Sequence, residues 1–172
     1  MANELNEKTS RAELIALIAA AFAGVSRDGG ITLQEARAKD DYATPAEQFA
    51  ARSRDTESHW DEIPEEKLVE YHDVHAFLDA KGLRFYLPAF MTSIVRELGD
   101  MSKYSDSTIF ALDPGETTET WYSFQMERFG ILTDTQSKAI CRFLTYISEF
   151  RNDSSARRAL RRYWNRFSDS RG

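Results

Sequence analysis

Apolar residues recur along this chain at helical spacing and almost nowhere in strict alternation, a pattern that predicts helices joined by polar turns. The first run, "SRAELIALIAAAFAG", brings Leu14, Leu17, Ile18, Ala21 and Phe22 to one face. Ser10 and Glu13 form a capping box ahead of it, and Gly24 ends it. "VSRDGG" reads as a glycine-containing turn, and Thr32 with Glu35 supplies a second box that opens a short helix. A third helix starts at Thr44 and Pro45, with Glu47 three residues after the cap, and is expected to run to about His59. Trp60 is expected to plug the core at the corner that follows. Pro64 starts a fourth helix, with Glu65 and Glu66 in the first turn where carboxylates suit the helix dipole. It carries Leu68, Tyr71, Val74, Phe77 and Leu78 until "DAKG" breaks it.

Farther along, "LRFYLPAFMTSIVREL" predicts a turn and then a helix beginning near Pro88, with Phe90, Met91, Ile94, Val95 and Leu98 available to the core. Residues 99–120 are rich in loop formers and read as an irregular loop with one helical turn around Ile109. Regular structure resumes at "WYSFQMERFG". A Thr133 and Gln136 box then opens a helix striped by Ile140, Phe143, Leu144, Ile147 and Phe150. At about 100° per residue, Ala156, Ala159, Leu160, Tyr163, Trp164 and Phe167 fall within an arc of roughly 140°. Arg157, Arg158, Arg161, Arg162 and Arg166 take the opposite half. The expected fold is all-α: a compact, single-domain bundle of about seven helices over residues 1–172, with 1–9 and 168–172 as flexible ends.

Composition narrows the class. With 42% apolar and 12% aromatic residues, the chain is not of the disordered type. No apolar run approaches the roughly 20 residues that span a bilayer. "MANELNEKTS" lacks the basic start and apolar segment of a secretory signal. The single cysteine, Cys141, has no second cysteine to pair with. These features lead us to expect a soluble cytoplasmic protein with no membrane contact. The net charge of −6 is unevenly spread. Residues 151–172 hold seven arginines and two aspartates, leaving −11 on the first 150 residues. Residues 34–75 carry twelve acids and five basic residues.

Candidate chemistry is sparse. His72 and His75 are three apart, and His59 lies four after Asp55, a set of residue types that resembles a zinc or iron ligand set. However, "HDVH" has neither the four-residue spacing of a zincin nor the Glu-x-x-His of bundle di-metal sites. No metal or cofactor is assigned, and His72 and His75 read as surface or boundary residues. Cys141 sits in an apolar helix, where a thiol is ordinarily packed and inert. There is no Gly-x-Ser-x-Gly, phosphate-binding glycine loop or Cys-x-x-Cys, so no catalytic residues are assigned. The arginine helix has the charge to meet phosphates, but Tyr163 and Trp164 fall on its core side and give no stacking platform. Its basic face reads as solvated or paired with the acidic 34–75 segment, and nucleic acid is not the expected partner. That acidic segment, through Asp40, Asp41, Glu57, Asp61, Glu62, Glu65 and Glu66, suits a basic protein partner, because charge complementarity speeds association.

The order of "ITLQEARAKDDY", "ARSRDTESHWDEIP", "FYLPAFM", "LTDTQSKAICRFLTYI" and "ALRRYW" resembles a family of small bacterial proteins classed as a domain of unknown function, DUF6714. The resemblance runs from about residue 12 to 165. Its pattern features the positions filled here by Asp41, Asp55, His59, Trp60, Tyr86, Pro88, Gln136 and Trp164, and it implies no activity. It singles out Asp41, Asp55, His59 and Trp60 as a polar cluster. Within that cluster, Asp55 and His59 are expected one helical turn apart, close enough for a hydrogen bond. The leading expectation is a non-enzymatic interaction protein, an immunity-type inhibitor of a basic toxin in its most specific form. The rivals are a metal-dependent hydrolase using Asp41, Asp55 and His59, and a nucleic-acid binder using the arginine helix.

Overall fold

The computed structural model describes the backbone of residues 2–96 and 102–168 and the side chains of 10–96 and 104–168. Within these residues there are nine α-helices, three short 3-10 turns and no strand. The all-α expectation is met, with more and shorter elements than the seven expected.

Helix α1 (Ala2–Ala21) begins eight residues before the Ser10 box, so the expected N-terminal cap lies inside the helix. Gly24 follows it with φ +70, a left-handed turn that favours glycine. Helices α2 (Leu33–Asp40) and α3 (Pro45–Arg52) each start with the expected box, Thr32 with Glu35 and Thr44 with Glu47. Helix α3 then stops at Arg52, well short of His59. The stop follows from where Asp55 goes: its carboxylate turns inward and accepts the Gln34 amide of α2 at 2.8 Å, which a continuing helix would not allow.

Helix α4 is also short (Glu65–Glu70), and a 3-10 turn over Val74–Phe77 replaces its expected continuation. Arg37 of α2 donates to the Glu70 carbonyl and to the Asp73 carboxylate, so the frayed end is satisfied from a neighbouring helix. Helix α5 (Ala80–Arg96) begins before Pro88, not at it. Asp79 is its cap: Oδ1 accepts the Gly82 amide at 2.8 Å and the Ile31 amide at 2.9 Å. Gly82 lies so close to the preceding loop that an added Cβ would sit 2.4 Å from the Ile31 carbonyl oxygen. "DAKG" is therefore a helix start, and glycine is there for backbone approach. Pro88 removes one helical hydrogen bond. Dense packing surrounds it, since every residue from Phe85 to Val95 is buried.

Helix α6 (Ser102–Leu112) occupies half of the expected 99–120 loop; the first residues of that span, like the 169–172 tail, lie outside the described residues. Tyr104, Thr108 and Leu112 are buried at four-residue intervals, with Ser105 and Ile109 beside them. Helices α7 (Thr120–Gly130) and α8 (Asp134–Phe150) stand where expected, α8 with its Thr133 and Gln136 box. Helix α9 (Ser154–Arg162) ends at Tyr163, and a 3-10 turn (Trp164–Phe167) carries the chain onward. Ala156, Ala159, Leu160 and Trp164 are buried as the arc predicts, whereas Leu17, Phe77 and Phe150, expected inside, are exposed. One continuous cluster forms the core. Helix α5 runs through it, contacted by α1 and α4 and by α6 and α7, while α8 packs on α1 and α9. No helix among the described residues is long and apolar enough to cross a membrane.

Candidate functional site

Helices α1 and α5 meet through small side chains, Ala19 on one and Ala89 on the other, and Ala23, Gly24 and Val25 of the turn after α1 line the same space. Short side chains leave space there, and the result is an open groove of about 640 Å³. Ile15, Ile63 and Leu68 complete its apolar lining. One wall is the segment the sequence marked: His59, Trp60, Asp61 and Glu62, followed by Glu65 of α4. Thr92, Ser93 and Arg96 of α5 form the facing wall. Asp61, Glu62 and Glu65 are exposed at the rim, and Glu66, next in sequence, is exposed as well. Ser93 donates its hydroxyl to Glu65 and so ties α5 to α4. The Thr92 hydroxyl is buried and makes no hydrogen bond.

The wall is held by two fastenings. Glu62 accepts the amides of Ser58 (2.9 Å) and His59 (3.0 Å). The His59 and Ser58 amide bonds hold its carboxyl below the ordinary value. Trp60 is half-buried against the core, as expected, and its indole donates to the Phe22 carbonyl at 3.0 Å. His59 itself is exposed on the rim.

The expected polar cluster is dispersed. Asp55 and His59 are not a helical turn apart, because α3 ends before either, and no hydrogen bond joins them. Asp55 is 3% exposed and serves as an internal hub. It takes the Gln34 amide and, at 3.2 Å, the Gln34 side chain, and it pairs with Lys67 at 2.6 Å. Lys67 also reaches Glu57 at 2.5 Å. Burial works against the Lys67 charge, but the hydrogen bonds to Asp55 and Glu57 outweigh it and hold the ammonium above its ordinary value. Asp41 lies elsewhere, exposed beside a shallow depression lined by Arg37, Arg54 and Tyr71. Of the acidic set, Asp40 is half-buried and paired with Arg37 at 3.3 Å, and Glu57 is half-buried on Lys67. The remaining acids face solvent.

The hydrolase trio Asp41, Asp55 and His59 therefore does not converge, and among the described residues no group of three or more His, Cys, Asp or Glu is placed to hold a metal. His75, read as a surface or boundary residue, is instead 3% exposed. Burial drives its pKa down to about 3, helped by the nearby Arg128 charge, so the ring is neutral. Cys141 is buried, as expected.

The arginine face is largely engaged within the chain, though not with the 34–75 segment. Arg158 meets Asp113 at 2.7 Å, and Arg162 meets Asp113 at 3.0 Å and also Glu116. Arg157 donates to the Ser148 carbonyl and to Asn152. Arg161 and Arg166 are exposed, and Arg166 lies over the Tyr163 ring at 4.2 Å.

Lys67, Asp113 and Arg128 are central residues that sequence reasoning missed. Each has the composition of a solvated surface residue, and only its three-dimensional partners mark it out. Of the other positions in the recognised pattern, Tyr86 and Pro88 are buried in α5. Gln136 accepts from Arg84 at 3.2 Å, and Trp164 donates to the Leu112 carbonyl at 2.7 Å. Most are fasteners between elements. No curated protein and no solved structure matches the chain. The model of a family of unknown function, DUF6714, matches residues 10–168, nearly the whole chain, and the chain belongs to that family.

Proposed function

We propose that this protein is a non-enzymatic binding module whose α1/α5 groove receives a basic, amphipathic segment of another protein. One observation carries the reading: an apolar floor of alanine, isoleucine and leucine side chains lies beside a rim of Asp61, Glu62 and Glu65. An amphipathic helix docks by its apolar face, and lysine or arginine at its margins would meet these acids. Such a rim favours fast association and selects against acidic partners. An immunity-type inhibitor of a basic toxin is the specific form this reading takes.

The test is isothermal titration against the purified products of the genes flanking its own. A partner of micromolar Kd or tighter is expected. Two variants separate charge from groove. Asp61→Lys with Glu66→Lys cancels the net negative charge of this wall, and Ala19→Trp fills the floor from an exposed position while leaving every charge in place. Each is expected to weaken binding at least about tenfold, equivalent to about 1.4 kcal/mol. Binding unchanged in both variants would put the partner on another surface and overturn the assignment.

A further inference from the structure

Arg128 is 1% exposed, and none of its three side-chain nitrogens has a hydrogen-bond partner. Its guanidinium carbon lies 5.0 Å from the Phe124 ring centroid and 5.9 Å from that of Trp121. Rings supply cation–π contact, yet the N–H edges, which carry five donors, remain unmet. The same face of α7 presents two more buried groups without partners, the Trp121 indole N–H and the Gln125 side-chain oxygen. Gln125 is fixed in place, since its amide nitrogen donates to the carbonyls of Ala111 and Asp113, both at 2.9 Å. His75 feels the Arg128 charge; its Nδ1 also lacks a partner, and its Nε2 lies 3.4 Å from the Thr108 hydroxyl.

The charge is only partly met. Asp79 acts on Arg128 through space, but one of its oxygens is occupied by the Ile31 and Gly82 amides. Burial outweighs its help and pushes Arg128 down to about 10. Water can satisfy donors but cannot neutralise a cation, and buried charges in folded proteins are paired.

We propose that Arg128 is the recognition group of a binding site for a small monocarboxylate, walled by Trp121 and Phe124. Three features select this class. Among the described residues of the cluster Arg128 is the only cationic side chain, because His75 is neutral, so a single negative charge balances it. A carboxylate fits the guanidinium edge with two parallel hydrogen bonds. The aromatic walls suit a short apolar tail, and beyond Arg128 they offer only the Trp121 indole N–H, too few donors for the further oxygens of a phosphate. The cluster comes nearest the surface at half-buried Trp121, which stacks on Phe110 at 5.7 Å, Phe110 itself being 59% exposed. This site is independent of the α1/α5 groove.

The probe is sodium acetate, with sodium chloride and sodium phosphate at matched ionic strength. Acetate is expected to raise the melting temperature of the full chain saturably, on the order of 2–4 °C, with less response to the other two salts. The rise should vanish in Arg128→Met, which keeps the side-chain bulk and removes the charge. A second measurement does not depend on that variant folding: in the wild-type protein the Trp121 indole N–H resonance should shift saturably with acetate, while those of Trp60 and Trp164 stay fixed. Equal responses to acetate and chloride, or an unmoved Trp121 resonance, would overturn the site. A stronger response to phosphate would overturn the monocarboxylate assignment.

Discussion

Two carboxylates fasten this molecule, and they do so in opposite ways. Asp55 has no exposed side-chain surface, and its cation, Lys67, is 14% exposed. Asp113 is 6% exposed, but its two arginines are 44% and 26% exposed. The first hub joins α2 to α4 from inside; the second joins α9 to the α6–α7 loop from the rim. Removing one member of a buried pair strands a charge away from water, whereas a pair open to solvent is screened and replaced by hydration. Similar residues therefore carry very different energetic weight, and burial of the cation decides which.

The largest expected effect is at the first hub. Asp55→Ala should lower unfolding free energy by about 3–5 kcal/mol, read by urea denaturation. The double variant Asp55→Asn with Lys67→Met should lose less than the sum of its single changes, because the two buried charges are removed together and only half-buried Glu57 is left unpaired. Strict additivity there would break the comparison. Next comes Trp164→Phe, which deprives the Leu112 carbonyl of its donor and leaves a small void. About 1–3 kcal/mol is expected from thermal unfolding. Asp113→Asn should cost about 1–2 kcal/mol, discounted because its arginines are open to solvent, and the loss should shrink as salt is raised.

The hubs should also fail at opposite ends of the pH scale. Burial pushes the Asp113 carboxyl up, but hydrogen bonds from Arg158, the Gly115 amide and Arg162 bring it below its ordinary 3.8. Its contribution is therefore present above that value and is lost as pH falls through the lowered pKa. Lys67 is raised above its ordinary 10.5, so its contribution is complete below that value and is lost as pH rises through the raised one. Asp113→Asn should flatten the acid limb of a stability–pH curve and leave the alkaline limb intact. The smallest effect is Arg161→Ala, on the same arginine face but exposed, which should change stability by no more than about 0.5 kcal/mol.

The elements that were legible in the sequence have local causes. Helix α8 announces itself by a capping box and a clean stripe, and α9 by an arc of apolar residues against arginine. Helix α6 was hidden because Ser105 and Thr108 occupy buried positions, breaking an apolar stripe that is nevertheless helical. Helix α3 is shorter than its local pattern predicts, since nothing in "RSRDT" says that Asp55 leaves to cap another helix 21 residues back. The acidic wall of the groove was visible as a charged segment, but its floor was not. Alanines on α1 and α5 become a cavity only when the two helices meet. Arg128, flanked by "MERF", resembles any solvated helical arginine until its surroundings are known.

The three tryptophans of the chain fall one to each region discussed: Trp60 at the groove wall, Trp121 at the aromatic wall of the Arg128 site, and Trp164 in the C-terminal core. Their surroundings differ in polarity and access to water, so their emission should differ in wavelength and in quenching by iodide. The protein thus carries three tryptophan reporters, one for each separable event. Groove occupancy, anion entry and loss of the core can be followed independently, without an attached dye.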